Sequence, residues 1–191
     1  MQNVFEIEVK NSGTIRVLTD EEVFMSIKRM TIAALFMSMT LVLSSSFLSI
    51  PVPGGHLYFN GALIFLIGLL FRPLEAAFIA GVGSFLGDYF FYPAPMFVTL
   101  VVHGLQVFAI AWWLQKSPKP VSNTNIFIGL FLGLVIDLVG YSLGRAFVYS
   151  TPAAALVKLP FDIFQAALGV VLAFIIYRHP SFRKLWDKIL K

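Results

Sequence analysis

MFVTLVVHGLQVFAIAWWLQ, residues 96–115, runs for twenty residues without an Asp, Glu, Lys or Arg. At 1.5 Å per residue a helix of this length is about 30 Å long, the thickness of a bilayer's hydrocarbon core. Further apolar runs lie at 30–50, 60–71, 73–92, 125–149 and 153–177. Over the 191 residues, 58% are hydrophobic and 13% charged, and mean hydropathy is +0.84. That balance excludes an ordinary soluble domain and makes the bilayer the solvent. With no Cys, disulfides and thiolate metal sites are excluded. The net charge of +4 sits at the ends of the runs, which suits a membrane surface rather than nucleic acid.

The expected fold is all-α and integral to the membrane, a bundle of six transmembrane helices over residues 28–178. Residues 1–27 form a cytoplasmic appendage and residues 179–191 an amphipathic basic tail. The 60–71 run is short and Arg72-Pro73 divides it sharply from the next; it reads as a short span rather than a re-entrant segment. With the N-terminus inside, Lys28, Arg29, Arg72, Lys116, Lys119 and the tail from Arg178 are cytoplasmic. The outer loops, Pro51–Phe59, Tyr92–Pro95 and Ser150–Pro152, carry no Lys or Arg. Six spans satisfy the positive-inside rule, and a re-entrant second run would break it. In the appendage, alternation at Phe5, Ile7, Val9, Ile15 and Val17 around Asn11-Ser12-Gly13 predicts a hairpin. Thr19 and Glu22 have capping-box spacing. No cleavable signal sequence is expected, because nearly thirty polar residues precede the first run.

Ionisable residues inside spans are costly and face a cavity or a partner. Asp88 and Arg145 fall near the outer ends of the third and fifth spans, and His103 lies about 10 Å below the outer end of the fourth. Lys158, Asp162, Gln165 and Gly169 follow i, i+4, i+7, i+11 spacing, one stripe of the sixth. His103 and Gln106 share a face with Thr99, and Tyr141 lies one turn from Arg145. Polarity is therefore gathered in the outer half, which predicts a pocket open to the outside. Lys158 and Asp162 equally suit a mutually neutralising pair, and His103 a buried histidine bonded to a neighbouring helix. Arg145 has three possible partners: Asp88, Asp162, or an anionic group on a ligand. Gly129, Gly133, Gly140 and Gly144 form a close-packing seam on the fifth span. Asp137 lies on that seam and reads as a structural bond across a helix interface. Gly81, Gly83 and Gly87 lack the spacing of a nucleotide loop and read as packing glycines. Hydrolase and P-loop motifs are missing from the sequence, so no enzymatic activity, metal or cofactor is expected.

Three stretches carry a resemblance. They are Gly54-Gly55-His56-Leu57-Tyr58-Phe59-Asn60-Gly61-Ala62, then Gly81 to Asp88 with Tyr92-Pro93-Ala94-Pro95, and Gly140-Tyr141 with Leu159-Pro160 and Gln165. Over residues 28–178 the chain resembles the substrate-binding (S) components of energy-coupling factor (ECF) vitamin transporters, the riboflavin, hydroxymethylpyrimidine or pyridoxine subgroup above all. The resemblance implies a multi-pass protein of a bacterial plasma membrane with both termini cytoplasmic, working with a transmembrane coupling subunit and two cytoplasmic ATPases. It implies a lid at Pro51 to Phe59, and small residues on the first helix, here Ala34 and Ser38, against the coupling subunit. Tyr58, Asn60 and Tyr141 would give apolar contact and stacking. Asp88, His103, Gln106, Arg145, Lys158, Asp162 and Gln165 would give hydrogen bonds and charge.

The pocket departs from the subgroup, where Lys is expected in place of His103, an acid in place of Arg145 and Asn in place of Asp162. The ligand is therefore open between an anion such as pantothenate, met by Arg145 and Lys158, and a neutral pyrimidine or pyridine, with Asp162 cancelling Arg145. Two other classes stand beside this reading. A stand-alone secondary transporter would need polar residues through the full depth, and a scaffold would use the same residues only to join helices.

Overall fold

The computed structural model describes residues 7–9, 15–17, 20–45 and 48–190. In chain order these form β1 (Ile7–Val9), β2 (Ile15–Val17), α1 (Asp20–Leu43), β3 (Ile50–Val52), β4 (Gly55–Leu57), α2 (Gly61–Leu70) and α3 (Pro73–Phe91). There follow α4 (Met96–Lys116), α5 (Asn123–Gly144), a π-helical turn (Arg145–Tyr149), α6 (Pro152–Arg178) and α7 (Pro180–Leu190). β1 and β2 pair antiparallel with Ile7 opposite Val17, as the alternation predicts. Phe5, the turn at Asn11–Gly13 and the cap residue Thr19 lie outside the described residues.

The helix boundaries follow local chemistry. Ser122 and Thr151 accept from the amides of Asn125 and Ala154 and so cap α5 and α6, and Pro occupies the first position of α3 and α6, where its missing N–H costs nothing. The first apolar run differs from expectation: α1 ends at Leu43, and residues 50–57 form a hairpin instead of irregular loop. Pro53-Gly54 is its two-residue turn, with Val52 opposite Gly55. Gly54 has φ +82°, as the residue after Pro in a type II turn requires.

α2, GALIFLIGLL, has no polar face, and Leu63 through Leu69 are all buried. A helix apolar all round belongs in the interior, and α2 packs against α6, α4 and α3 as the axis of the bundle. Around it α1 packs on α3, α3 on α4, α4 on α5 and α5 on α6. Four helical stretches are long and apolar enough to cross a membrane: Pro73–Phe91, Met96–Lys116, Asn123–Tyr149 and Pro152–Arg178. The ten residues of α2 fall short of the ~20 that a perpendicular span needs. The periphery is apolar; Phe78, Phe131, Phe147, Leu156 and Phe164 are each more than 60% exposed. So much outward hydrocarbon belongs against lipid, not water.

The glycine seam packs against one helix. A Cβ at Gly129 or Gly133 would meet Ile110, one at Gly140 would meet Val102 and one at Gly144 would meet Val98, all on α4. Gly81 faces Leu100 and Gly104 of α4, whereas Gly83 and Gly87 face α1. A Cβ on Gly83 would lie 2.9 Å from the Met37 carbonyl oxygen. Gly83→Val is therefore expected to cost about 1–3 kcal/mol through overpacking, read as a lowered melting temperature in detergent; an unchanged melt would show that α1 is not held by this contact.

One end of the bundle gathers the basic loops. Arg29 on α1 pairs with Glu75 at the start of α3 (2.8 Å), and Glu75 also accepts the Arg72 amide. α7 docks there, with Trp186 edge-on to Phe36 and Phe71. The opposite end carries the β3–β4 hairpin, the α3–α4 loop and the π turn.

Candidate functional site

At the hairpin end, α3, α4, α5 and α6 enclose a cavity of about 70 Å³, room for several waters at roughly 10–15 Å³ each. The residues singled out from the sequence meet here: Tyr58, Asn60, Asp88, His103, Tyr141, Arg145, Lys158, Asp162 and Gln165 all line it. Gln106 does not. It lies beneath the wall, with Oε1 2.8 Å from His103 Nδ1, because one turn of α4 carries it inward past the lining. Ala34 and Ser38 are on the exposed side of α1, away from the cavity.

Two clusters make up the walls. In one, Asp162 accepts from Lys158 Nζ on Oδ1 and from Arg145 Nη1 on Oδ2, each at 2.6 Å. The i, i+4 pair is thus real, and Arg145 finds its partner on α6, not on α3. Lys158 is 2% and Arg145 7% exposed. The Arg145 guanidinium also lies 5.8 Å from the Tyr149 ring. Both residues sit on the π turn, whose wider helical turn presents them together; such turns recur at functional sites.

In the other, Thr99 donates to Asp88 (2.5 Å), and the Tyr141 hydroxyl donates to Thr99 (3.0 Å) and lies 3.0 Å from His103 Nε2. Each hydroxyl has one hydrogen. The direction of the Tyr141–His103 contact follows the His103 tautomer. His103 Nδ1 faces two oxygens, those of Gln106 and, at 3.7 Å, of Asp137. His103 is bonded to a neighbouring helix, as its sequence position suggests, and also lines the cavity. Asp137 likewise approaches α4 across the seam, as read from the sequence, and contributes to the lining.

The hairpin roofs both clusters. Gly54 packs on the Ala154 carbonyl and on Lys158 Cβ, and Gly55 on Lys158 Cε. The Tyr58 amide donates to Gln165 (2.8 Å), and Asn60 donates to Ser44 (2.8 Å). Burial and the nearby Asp88 carboxylate raise the Tyr58 phenol well above its ordinary pKa, so it remains a neutral hydroxyl. Sequence reasoning missed His56, Tyr92 and Tyr149, which also line the cavity. His56 lies edge-on to Tyr92; as an isolated His in a loop it had no partner in the sequence to point to it.

No group of His, Asp and Glu that could hold a metal occurs among the described residues. The arrangement offers hydrogen bonds, charge and aromatic faces, which is equipment for binding a small polar molecule.

Comparison with known proteins gives two matches. A family model described as "ECF-type riboflavin transporter, S component" matches residues 24–180. A protein of Pyrococcus woesei, described only as an uncharacterised protein in a gap 3' region, is 34% identical over 125 residues, 64% of this chain and 82% of the relative.

Proposed function

Since this chain belongs to the ECF-type riboflavin transporter S-component family, a family of vitamin-binding transporter subunits, we propose that it captures a vitamin or vitamin precursor from outside for ATP-driven uptake. The observation that carries this reading is the one-ended cavity. Charged and hydrogen-bonding side chains from four helices converge beneath the hairpin, while the two core clusters built around α2 and α4 are hydrocarbon. A stand-alone carrier would need a polar route through both halves.

In this reading α1 to α6 all cross the membrane, the short α2 enclosed by the other five, and both termini are cytoplasmic. The basic end with Arg29, Arg72, Lys119 and α7 faces the cytoplasm. Leu185 and Ile189 on α7 are exposed beside basic residues, which suits a helix lying in the inner headgroup layer. Ala34 and Ser38, exposed on α1 with Leu35 and Met39, form the face for a transmembrane coupling subunit, which brings two cytoplasmic ATPases. The hairpin is the lid. A cavity of about 70 Å³ is smaller than a vitamin-sized molecule, which enters when the hairpin lifts from Lys158.

The protein serves as a binder rather than a catalyst, and two measurements test this together. Titrated with a vitamin panel, the purified protein is expected to bind one member with submicromolar Kd. Isolated from its native membrane in mild detergent, it is expected to bring with it a membrane subunit and an ATPase. Failure of both would overturn the reading.

A further inference from the structure

The cavity is lined by unequal numbers of acids and bases. Three carboxylates, Asp88, Asp137 and Asp162, stand against two cationic side chains, Arg145 and Lys158. Both cations are spent on the same acid, since Lys158 Nζ and Arg145 Nη1 each donate to Asp162 at 2.6 Å. Among the described residues no Lys or Arg pairs with Asp88 or Asp137. Nor does either histidine of the lining, His56 or His103, hydrogen-bond a carboxylate, so neither is held in its charged form. The lining is left with one negative charge in excess.

The free acceptors share one wall, built by α3, α4 and α5. Thr99 donates to Asp88 Oδ2 (2.5 Å), the Tyr141 hydroxyl lies 3.0 Å from both Thr99 Oγ1 and His103 Nε2, and His103 Nδ1 lies 2.8 Å from Gln106 Oε1. The chain from Asp88 to Gln106 thus spends its hydroxyl and imidazole groups on itself. Nothing is left for Asp137, whose nearest ionic partner, His103 Nδ1, is 3.7 Å away, beyond hydrogen-bond length. Asp137 accepts no hydrogen bond from a described residue, and Asp88 accepts one, which leaves Oδ1 open. Yet the Asp137 side chain is only 15% exposed and Asp88 4%. A carboxylate so withdrawn from water is neutralised by a proton or by a cation.

The rest of the lining agrees with the second of these. Tyr58, Tyr92 and Tyr149 bring three more phenol rings to the cavity, and the face of such a ring attracts a cation.

Resting on the binding role proposed above, we infer that the ligand is an organic cation bearing N–H donors, a protonated amine or an amidine-like base, seated on Asp137 and Asp88. A cation supplies the charge that the lining lacks, and its N–H groups bring hydrogens to oxygens that have none. Asp162 is not the seat, because each of its oxygens already accepts from a cation. An anionic ligand would add to the excess, and a neutral one would leave it standing.

Calorimetric titration of the detergent-solubilised protein tests this with cationic and neutral partners of one skeleton: pyridoxamine and pyridoxine, 1-methylnicotinamide and nicotinamide. Thiamine as a further cation, riboflavin as a neutral compound, and the acids pantothenate and biotin complete the set. A cation is expected to bind tightest, with its neutral partner or riboflavin about 100-fold weaker, as a buried charge-assisted hydrogen bond allows. Asp137→Asn should remove most of that preference for charge, and Asp88→Asn should reduce it about 10-fold. Both substitutions keep the side chain's size and remove an unpaired charge, so both variants should melt no lower than the parent. If riboflavin, another neutral compound or an acid binds tightest, the cation class is overturned while the binding role stands. A cation that binds tightest but is indifferent to both substitutions overturns the seat on Asp137 and Asp88. If nothing in the set binds, the inference falls, and the binding role falls with it when no membrane subunit or ATPase accompanies the protein.

Discussion

Asp162→Asn is expected to be the most damaging single substitution at the site, lowering stability by about 3–5 kcal/mol, the typical cost of removing one member of a buried ion pair. Asp162 is the one residue that both cations touch, each at 2.6 Å. The asparagine is nearly the same size, so the effect isolates charge. Two buried cations would be left facing each other with no anion between them. Arg145→Met makes the contrasting case, because Lys158 and Asp162 remain a balanced pair one turn apart on α6. It should therefore melt close to the parent, and adding Lys158→Met to Asp162→Asn should recover part of the loss by removing one uncompensated charge. Thermal melts in detergent, followed by circular dichroism, separate these outcomes. An Asp162→Asn protein that melts like the parent would mean that the three charges are not energetically coupled.

The second large effect is expected at the β3–β4 hairpin. Gly54→Val combines two penalties. A β-branched residue at φ +82° costs on the order of 1–3 kcal/mol in backbone strain, and its Cβ would lie 3.1 Å from both the Ala154 carbonyl oxygen and Lys158 Cβ. Neither neighbour can retreat easily, since one is backbone and the other the root of a buried side chain. The strain is relieved by lifting the hairpin, which is joined to the bundle chiefly by its glycines, the Tyr58–Gln165 bond and the Asn60–Ser44 bond. The helices beneath should stay folded. Ligand affinity is expected to fall at least 10-fold, mostly through faster release as seen by rapid mixing. Unaltered release would mean that the hairpin does not retain the ligand.

Much of the fold was legible because a bilayer imposes simple demands on sequence. The Arg72-Pro73 break divides α2 from α3 as the residues predict, and the seam from Gly129 to Gly144 packs on α4 because only glycine admits Val98, Val102 and Ile110 so closely. The hairpin at Ile50–Leu57 was not legible as one. Its strands have three residues each, too few for alternation to register, and Pro-Gly signals a turn without saying what flanks it. The limit of α1 at Leu43 was hidden for a related reason, since Ser44 and Ser45 interrupt an apolar run without a proline or glycine.

At the site, the stripe of Lys158, Asp162 and Gln165 could be read directly, because residues one turn apart on a helix must share a face. Hydropathy and helical period, acting within single segments, determined that this is a membrane protein of packed helices whose polar groups gather at one end. Only the tertiary structure decided that Arg145 shares Asp162 with Lys158 across seventeen positions of sequence. It alone placed Gln106 behind His103 and brought His56 to the lining of the same cavity. A helix's own period says which of its residues face together. Which helix they face, and at what depth, depends on how each helix is rotated and shifted against its neighbours, and that is set by close packing of side chains distant in the chain.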